Sequence, residues 1–383
     1  MAVLGIDLGT TNSLAAYWED GKVHLVTDEH GEALFPSVVG YIEGEGLVAG
    51  AEAKERILTH REDTVCSFKR FMGTAKKYRL GGSLYTPMEL SAMVLERIRR
   101  NAEYFLKEEI EEAIITVPAY FNDKQRSDTK KAAKIAGLKV ERLINEPSCK
   151  SLHFAASAQE IRAAYSETDR QIPALSVFSG SSPFPSGRSF NIDICMPLFA
   201  KIKKLFLHLL KDAGAHVSNL TDLVMVGGSS RLGVVKRFLT ELLGKEPVVL
   251  GETDKVVAMG AGVYAGIRTR KEDIRDMLLT DVCPFTLGVE VWRRRGDGQN
   301  VLLPMIERNS TLPMSTHEHL VTVHDYQSEI RVGIYQGEEY YAKDNLFLGE
   351  VLIPVSPKPA GQEGVDVHEA SWFLAVSTAF VTA

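Results

Sequence analysis

The chain has 383 residues, with 44 Lys plus Arg against 50 Asp plus Glu, a formal net charge of −6, and 45% hydrophobic and 25% charged residues. These proportions exclude wholesale disorder and fibrous repeats, and at roughly 150 residues per domain the length predicts two or three domains. A mildly acidic chain is not built around a nucleic-acid backbone. Four cysteines (Cys66, Cys149, Cys195 and Cys283) without a Cys-x-x-Cys pair support neither a disulfide framework nor a zinc ribbon. A reducing, cytoplasmic compartment is the expectation. The first residues lack the basic and long apolar regions of a secretory signal, and the apolar stretch 371–383 falls short of the ~20 residues a spanning helix needs. No membrane insertion is expected.

Val3 to Ile6, the turn Asp7-Leu8-Gly9-Thr10-Thr11-Asn12-Ser13, and the apolar run Leu14 to Trp18 predict strand, turn, strand. Lys22 to Thr27 adds a third strand. Leu90, Met93, Val94, Ile98 and Ala102 recur at helical spacing behind Thr86-Pro87, a cap followed by a first-turn proline. Ala113 to Val117 predicts a buried strand ending at Pro118, and Asp123 to Ala136 a helix stopped by Gly137. Strands alternating with helices define an α/β lobe. Pro197 to Ala213 carries Leu198, Phe199, Ile202, Leu205, Phe206, Leu209 and Leu210 and predicts an amphipathic helix packed by that stripe and stopped by Gly214. Leu223 to Val226 predicts a buried strand leading through Gly227-Gly228-Ser229-Ser230-Arg231 into a helix. From about Asp281 the pattern alternates, as in Glu329 to Tyr335, and predicts half-buried antiparallel strands of a second, all-β domain.

A Gly-Thr-Thr turn between strands offers successive backbone N–H groups and hydroxyls to an anion, and the aspartate before it can hold a cation through water. Asp7, Gly9, Thr10, Thr11 and Asn12 are therefore a phosphate-and-metal candidate, although the same turn also occurs in plain hairpins. The glycines after the later strand let backbone approach a flat ligand, with Arg231 able to stack on a base. Lys69 in Ser67-Phe-Lys-Arg-Phe71 could reach a phosphoryl group, and Glu146 in Ile144-Asn-Glu-Pro147 could position water or metal. Without context each reads as a surface charge. His317-x-His319 with His324, and Arg293-Arg294-Arg295, read as exposed strand and hairpin residues.

In combination, Gly5-Ile-Asp-Leu-Gly-Thr-Thr-Asn12, Ser67-Phe-Lys-Arg-Phe-Met-Gly73, Thr116 to Arg126, Ala136 to Pro147, Val226-Gly-Gly-Ser-Ser-Arg231, Asp281 to Gly288 and Ile306 to Pro313 resemble the seventy-kilodalton heat-shock chaperones of the DnaK type, and within them the HscC-like branch. The resemblance covers residues 1–147 and 191–368. It implies an α/β, actin-like (ribonuclease-H-like) ATPase of two lobes, joined by a hydrophobic linker to an antiparallel β-sandwich that grips extended apolar peptides. ATP or ADP with Mg2+ is the implied cofactor, and a J-domain co-chaperone an implied partner. Carried over by position, Asp7 (magnesium, through water), Gly9, Thr10, Thr11 and Asn12 form the first phosphate loop, and Thr11, Lys69 and Glu146 are catalytic. Gly227, Gly228, Ser229, Arg231 and Asp254 hold the adenosine. Pro118, Arg126, Leu278, Leu279 and Asp281 match the relay and linker between nucleotide and peptide sites. Val289, Trp292, Leu320, Val323, Ile330 and Val332 match the peptide cleft.

The resemblance breaks in two places. The family's second phosphate loop, Asp-x-Gly-Gly-Gly-Thr, has no counterpart in the chain, and only 81 positions separate Glu146 from Gly227. A complete second lobe needs on the order of 100–150 residues. The expected organisation is thus a first lobe at 1–147, a divergent irregular segment at 148–190, a remnant of the second lobe at 191–276, the linker at 277–281, a partial β-sandwich at 282–368 lacking its last strands, and a divergent tail at 369–383. The expected function is an ATP-dependent, peptide-binding folding factor with impaired hydrolysis. The alternatives are a nucleotide-independent peptide-binding scaffold and a degenerate product without activity.

Overall fold

The computed structural model describes residues 2–140, 142–156, 192–220, 223–227, 230, 232–249, 253–269, 281–292, 299–371 and 377–382. The chain divides into two compact units, Met1–His153 with Val257–Ala383, and Phe154–Val256.

The first unit begins with β1 (Val3–Asp7), β2 (Asn12–Glu19), β3 (Lys22–Leu25), β4 (Phe35–Pro36), β5 (Val38–Ile42), β6 (Gly46–Ala49), the short helix α1 (Ala51–Glu55) and β7 (Thr64–Cys66). A 3-10 turn at Phe68–Phe71 leads to the hairpin β8 (Tyr78–Leu80) and β9 (Ser83–Tyr85), then α2 (Pro87–Leu106), β10 (Glu112–Val117), α3 (Asp123–Ile135), β11 (Leu143–Asn145) and α4 (Glu146–Ala156). The central sheet runs β11-β10-β1-β2-β3, with β4 beside β2. β1, β10 and β11 are parallel, in register Val3↔Glu112 and Ile115↔Leu143, whereas β2 turns back antiparallel with Asp7↔Leu14. The parallel strands are covered on both faces, which is why their sequences are almost continuously apolar. Leu4, Ile6, Ile115 and Val117 join the cluster under α2, while Ile114 and Ile144 join Cys149 and Leu152 of α4 on the other side. Local signals start and stop the helices. Thr86 and Glu89 form a capping box before Pro87, Asn122 and Gln125 form another at α3, and Gly137 takes φ +78° where α3 ends.

The second unit contains α5 (Ile192–Asp212), β12 (Val224–Met225), α6 (Gly233–Leu243) and β13 (Val248–Val249), with β12 and β13 parallel. α5 starts earlier than its sequence suggests and carries Pro197 inside. Its stripe does not pack as a whole. Phe199 is buried and stacks on Phe238 of α6 at 4.3 Å, but Leu198, Ile202, Leu205 and Leu209 are exposed, Leu205 and Leu209 each at 65%. The seven apolar residues lie along two adjacent lines of the helix, and among the described residues only the Phe199 line has a cover.

α7 (Val256–Arg268) then packs in the first unit, against α4 and the sheet. A Cβ at Gly5 would lie 2.2 Å from the Ala261 carbonyl carbon, so helix backbone rests directly on β1. This helix, expected by its sequence position to belong with residues 191–255, thus supplies a layer of the first unit. The β module follows as β14 (Asp281–Val282), β15 (Leu287–Val291), β16 (Val301–Ile306), β17 (Thr311–Leu312), β18 (Met314–Val321), β19 (Glu329–Gln336), β20 (Leu346–Pro354), β21 (Gly364–Ser371) and β22 (Ser377–Thr382). One sheet is β16-β15-β19-β20 and the other β18-β21-β22, with a shared core of Val289, Met305, Ile330, Val332, Ile353, Val365 and Val367. Residues 369–371 finish β21 and 377–382 pair with it from Asp366↔Thr382 to Ser371↔Ser377, so much of the expected divergent tail occupies strand positions. Among the described residues no helix is long and apolar enough to cross a membrane.

Candidate functional site

Ligand sites of parallel sheets lie at the carboxyl ends of the strands, and three charged residues of the first unit, Asp7, Lys69 and Glu146, meet there. Asp7 ends β1, and its Oδ1 accepts a 2.8 Å hydrogen bond from Thr116 Oγ1 on β10. Lys69, on the 3-10 turn after β7, is only 4% exposed, and its Nζ lies 3.3 Å from Oε1 of Glu146, the first residue of α4. The same ammonium stands 5.5 Å from the centre of the Phe121 ring. Burial pushes the Asp7 carboxyl up to about 6, opposed by the Lys69 charge and reinforced by that of Glu146, with Lys150 lowering it slightly. A carboxylate kept from water beside a second carboxylate favours a proton or a cation.

The turn between β1 and β2 carries the remaining phosphate candidates. Gly9 is required, since a Cβ there would sit 1.9 Å from the Asn12 carbonyl oxygen. The Gly9 N–H donates to Ser13 Oγ at 3.1 Å, and its carbonyl accepts from Ser37 Oγ at 2.9 Å. Thr11 is exposed and Thr10 and Asn12 half-buried. Asp7, Gly9, Thr10, Thr11, Asn12, Lys69 and Glu146 are therefore brought to one edge of one sheet.

A second cluster adjoins it. Arg126 of α3 is buried, donates from Nε to the Phe121 carbonyl at 2.8 Å and from Nη2 to the Ala119 carbonyl at 3.3 Å, and so clamps the turn that follows the buried Pro118. Its Nη2 also donates to Asn145 Oδ1 at 2.8 Å, and Asn145 Nδ2 donates to Asp281 Oδ1 at 3.0 Å. Ser148 Oγ donates to the same oxygen at 3.1 Å. Burial lowers the Arg126 guanidinium to about 10, offset by Asp281 and Asp123, and its Nη1 has no hydrogen-bond partner among the described residues. Pro118, Arg126 and Asp281 are joined through Asn145, the residue before Glu146. Leu278 and Leu279 lie outside the described residues.

In the second unit, the Gly227 N–H donates to the Thr253 carbonyl at 3.0 Å, which brings Gly227 beside the 253–255 turn carrying Asp254. Gly228, Ser229 and Arg231 lie outside the described residues. In the β module, Val289, Ile330 and Val332 are core residues with no surface for a peptide, because alternate strand positions point between the sheets. Leu320 is half-buried against that core, while Trp292 and Val323 are exposed. His319 Nδ1 lies 2.7 Å from Asp366 Oδ1, and among the described residues no group of three His, Cys, Asp or Glu could hold a metal.

Sequence reasoning missed Thr116, Asn145, Ser148, Ser13 and Ser37. Thr116 had a usable signal, being the one polar residue inside the run Ala113 to Val117. Ser37 and Ser148 had none, since their partners are distant in the chain.

A family model described as "Hsp70 protein" matches residues 3–172 and 158–371. The chaperone protein DnaK of Thermotoga neapolitana is 31% identical over 455 residues, covering 95% of this chain and 75% of the relative. The DnaK proteins of Thermotoga petrophila and Thermotoga maritima match with the same identity and coverage.

Proposed function

Because the chain belongs to the Hsp70 family, we propose that it is a chaperone-type protein that binds ATP or ADP with Mg2+ beside Asp7, holds extended apolar peptides on its β module, and hydrolyses ATP poorly. The observation that carries this reading is the convergence of Asp7, the Gly9–Asn12 turn, Lys69 and Glu146 on one sheet edge. The donors suit the ligand. Magnesium prefers carboxylates and water, the disfavoured ionisation of Asp7 is relieved by a cation, and a turn without a Cβ at Gly9 accepts an anion closely. When bound, magnesium would neutralise phosphate charge. Lys69, buried and oriented by Glu146, would donate to a phosphate oxygen, the hydroxyls of Thr10 and Thr11 would do the same, and Glu146 would accept a proton from water. Gly227, Gly228, Ser229, Arg231 and Asp254 would take the adenosine.

Poor hydrolysis follows from the missing second loop. Phosphoryl transfer needs charge stabilisation on both sides of the transferring group, and no Asp-x-Gly-Gly-Gly-Thr occurs in the sequence. Two findings support a loss of residues, the second of them near that point. The 455 aligned positions exceed the 383 residues of the chain by 72, so at least 72 positions have no residue here, and the family match breaks into two segments that meet at 158–172. Peptide contact falls to Trp292 and Val323 and in part to the half-buried Leu320, with the sealed residues Val289, Ile330 and Val332 available only if the sheets part. The HscC-like branch, a J-domain partner and a cytoplasmic location are part of the same proposal.

Equilibrium ATP binding with and without magnesium, followed by single-turnover hydrolysis, tests it. The expected result is weak, magnesium-dependent binding that falls further in Thr10→Ala, with turnover near background. Micromolar affinity with normal turnover would overturn the impairment. Peptide capture without any nucleotide binding would transfer the protein to the scaffold reading.

A further inference from the structure

We propose that Ser37, together with Ser13, is a positioning residue for the phosphate loop, turning the loop's carbonyl oxygens away from the anion; the assignment rests on the nucleotide reading above. A phosphate repels carbonyl oxygens, so a loop that receives one must commit its acceptors elsewhere. Ser37 takes both of the relevant ones. Its hydroxyl donates to the Gly9 carbonyl at 2.9 Å, and its backbone N–H donates to the Thr11 carbonyl at 2.8 Å.

The direction of every bond in the group can be worked out. A serine hydroxyl has one proton, and that of Ser37 is spent on Gly9. The 2.9 Å contact between Ser13 Oγ and Ser37 Oγ must then be donated by Ser13, whose oxygen in turn accepts the Gly9 N–H at 3.1 Å. Gly9 N–H, Ser13, Ser37 and Gly9 carbonyl therefore form a closed ring in which both backbone groups of one residue are held by two side chains. Both serines are buried, at 0% and 2% exposure, so water does not compete. The pairing of β2 with β4, Asn12↔Pro36 and Ser13↔Phe35, sets Ser37 opposite the turn. What the ring leaves uncommitted are the hydroxyls of Thr10 and Thr11, the groups suited to an anion.

The test compares wild type, Ser13→Ala, Ser37→Ala and the double variant by ATP and adenosine binding with magnesium, and by amide hydrogen exchange of the segment 8–13 in the nucleotide-free protein. Each single variant should weaken ATP about tenfold, as expected for loss of ~1.4 kcal/mol, and leave adenosine unchanged. The double variant should lose little more than either single, because the ring is already open. Exchange in 8–13 should rise about tenfold in each variant while the rest of the first unit keeps its protection. Equal losses for ATP and adenosine, or strictly additive losses, would overturn the positioning role. If wild type binds no nucleotide, the reading beneath fails, and the exchange result still decides this one: unchanged protection of 8–13 in Ser37→Ala refutes it.

Discussion

Replacing Asp7 by asparagine should stabilise the protein at neutral pH and leave it almost unchanged near pH 4. The carboxyl titrates at about 6 in the folded chain against an ordinary aspartate value of 3.8, chiefly because it is buried. Between those values the folded state binds the proton more tightly than the unfolded one, so stability falls as pH rises through the window and the full cost is present above it. At ~1.4 kcal/mol for each tenfold change in proton affinity, the displacement sets a ceiling of ~3 kcal/mol, and the partial exposure of the residue brings the expectation to about 1–3 kcal/mol. The carbonyl oxygen of the introduced amide would still accept from Thr116 Oγ1, so that 2.8 Å bond is not the quantity lost. Urea unfolding of wild type and Asp7→Asn followed by circular dichroism from pH 4 to 8 measures the difference. The curves should nearly coincide at pH 4, separate between pH 4 and 6, and run parallel above 7. Added magnesium should narrow the gap at pH 7.5 by stabilising wild type alone. An Asp7→Asn protein no more stable than wild type at pH 7.5 would refute the claim that this carboxylate sits under desolvation strain awaiting a cation.

Three further outcomes follow from packing and hydrogen bonding. Gly5→Ala places a methyl against backbone 2.2 Å away in α7, and the urea midpoint should drop by the equivalent of about 3 kcal/mol. Asn145→Ala removes two buried hydrogen bonds that join Arg126 to Asp281, leaving Arg126 Nη2 with the Ala119 carbonyl at 3.3 Å and Asp281 Oδ1 with Ser148 Oγ at 3.1 Å, at a cost of about 1–3 kcal/mol in the same assay. Leu205→Lys with Leu209→Lys on the exposed line of α5 should change stability by less than ~0.5 kcal/mol while lowering aggregation measured by light scattering.

The elements read most securely from sequence were those specified by neighbours in the chain. Thr86, Pro87 and Glu89 start α2 wherever it packs, and Gly137 ends α3, because caps and left-handed turns are satisfied within a few residues. The turn at Gly9–Asn12 and the apolar strands on either side belong to the same class. The networks around the site do not. Asn145 meets Asp281 across 136 residues and Gly9 meets Ser37 across 28, separations at which no local pattern marks the partner.

Periodicity told which side chains share a face, and in α5 and β19 it did so correctly, yet it could not say what lies opposite that face. Leu205 and Leu209 read as core and are exposed, while Ile330 and Val332 read as a peptide surface and are enclosed. The sequence by itself determined the kinds of elements, the family and the residue types of the candidate site. Only the tertiary structure decided which of them are covered, which carboxylate is held from water, and that α7 packs on the sheet of the first unit, because burial is a property of two surfaces and the chain encodes each one separately.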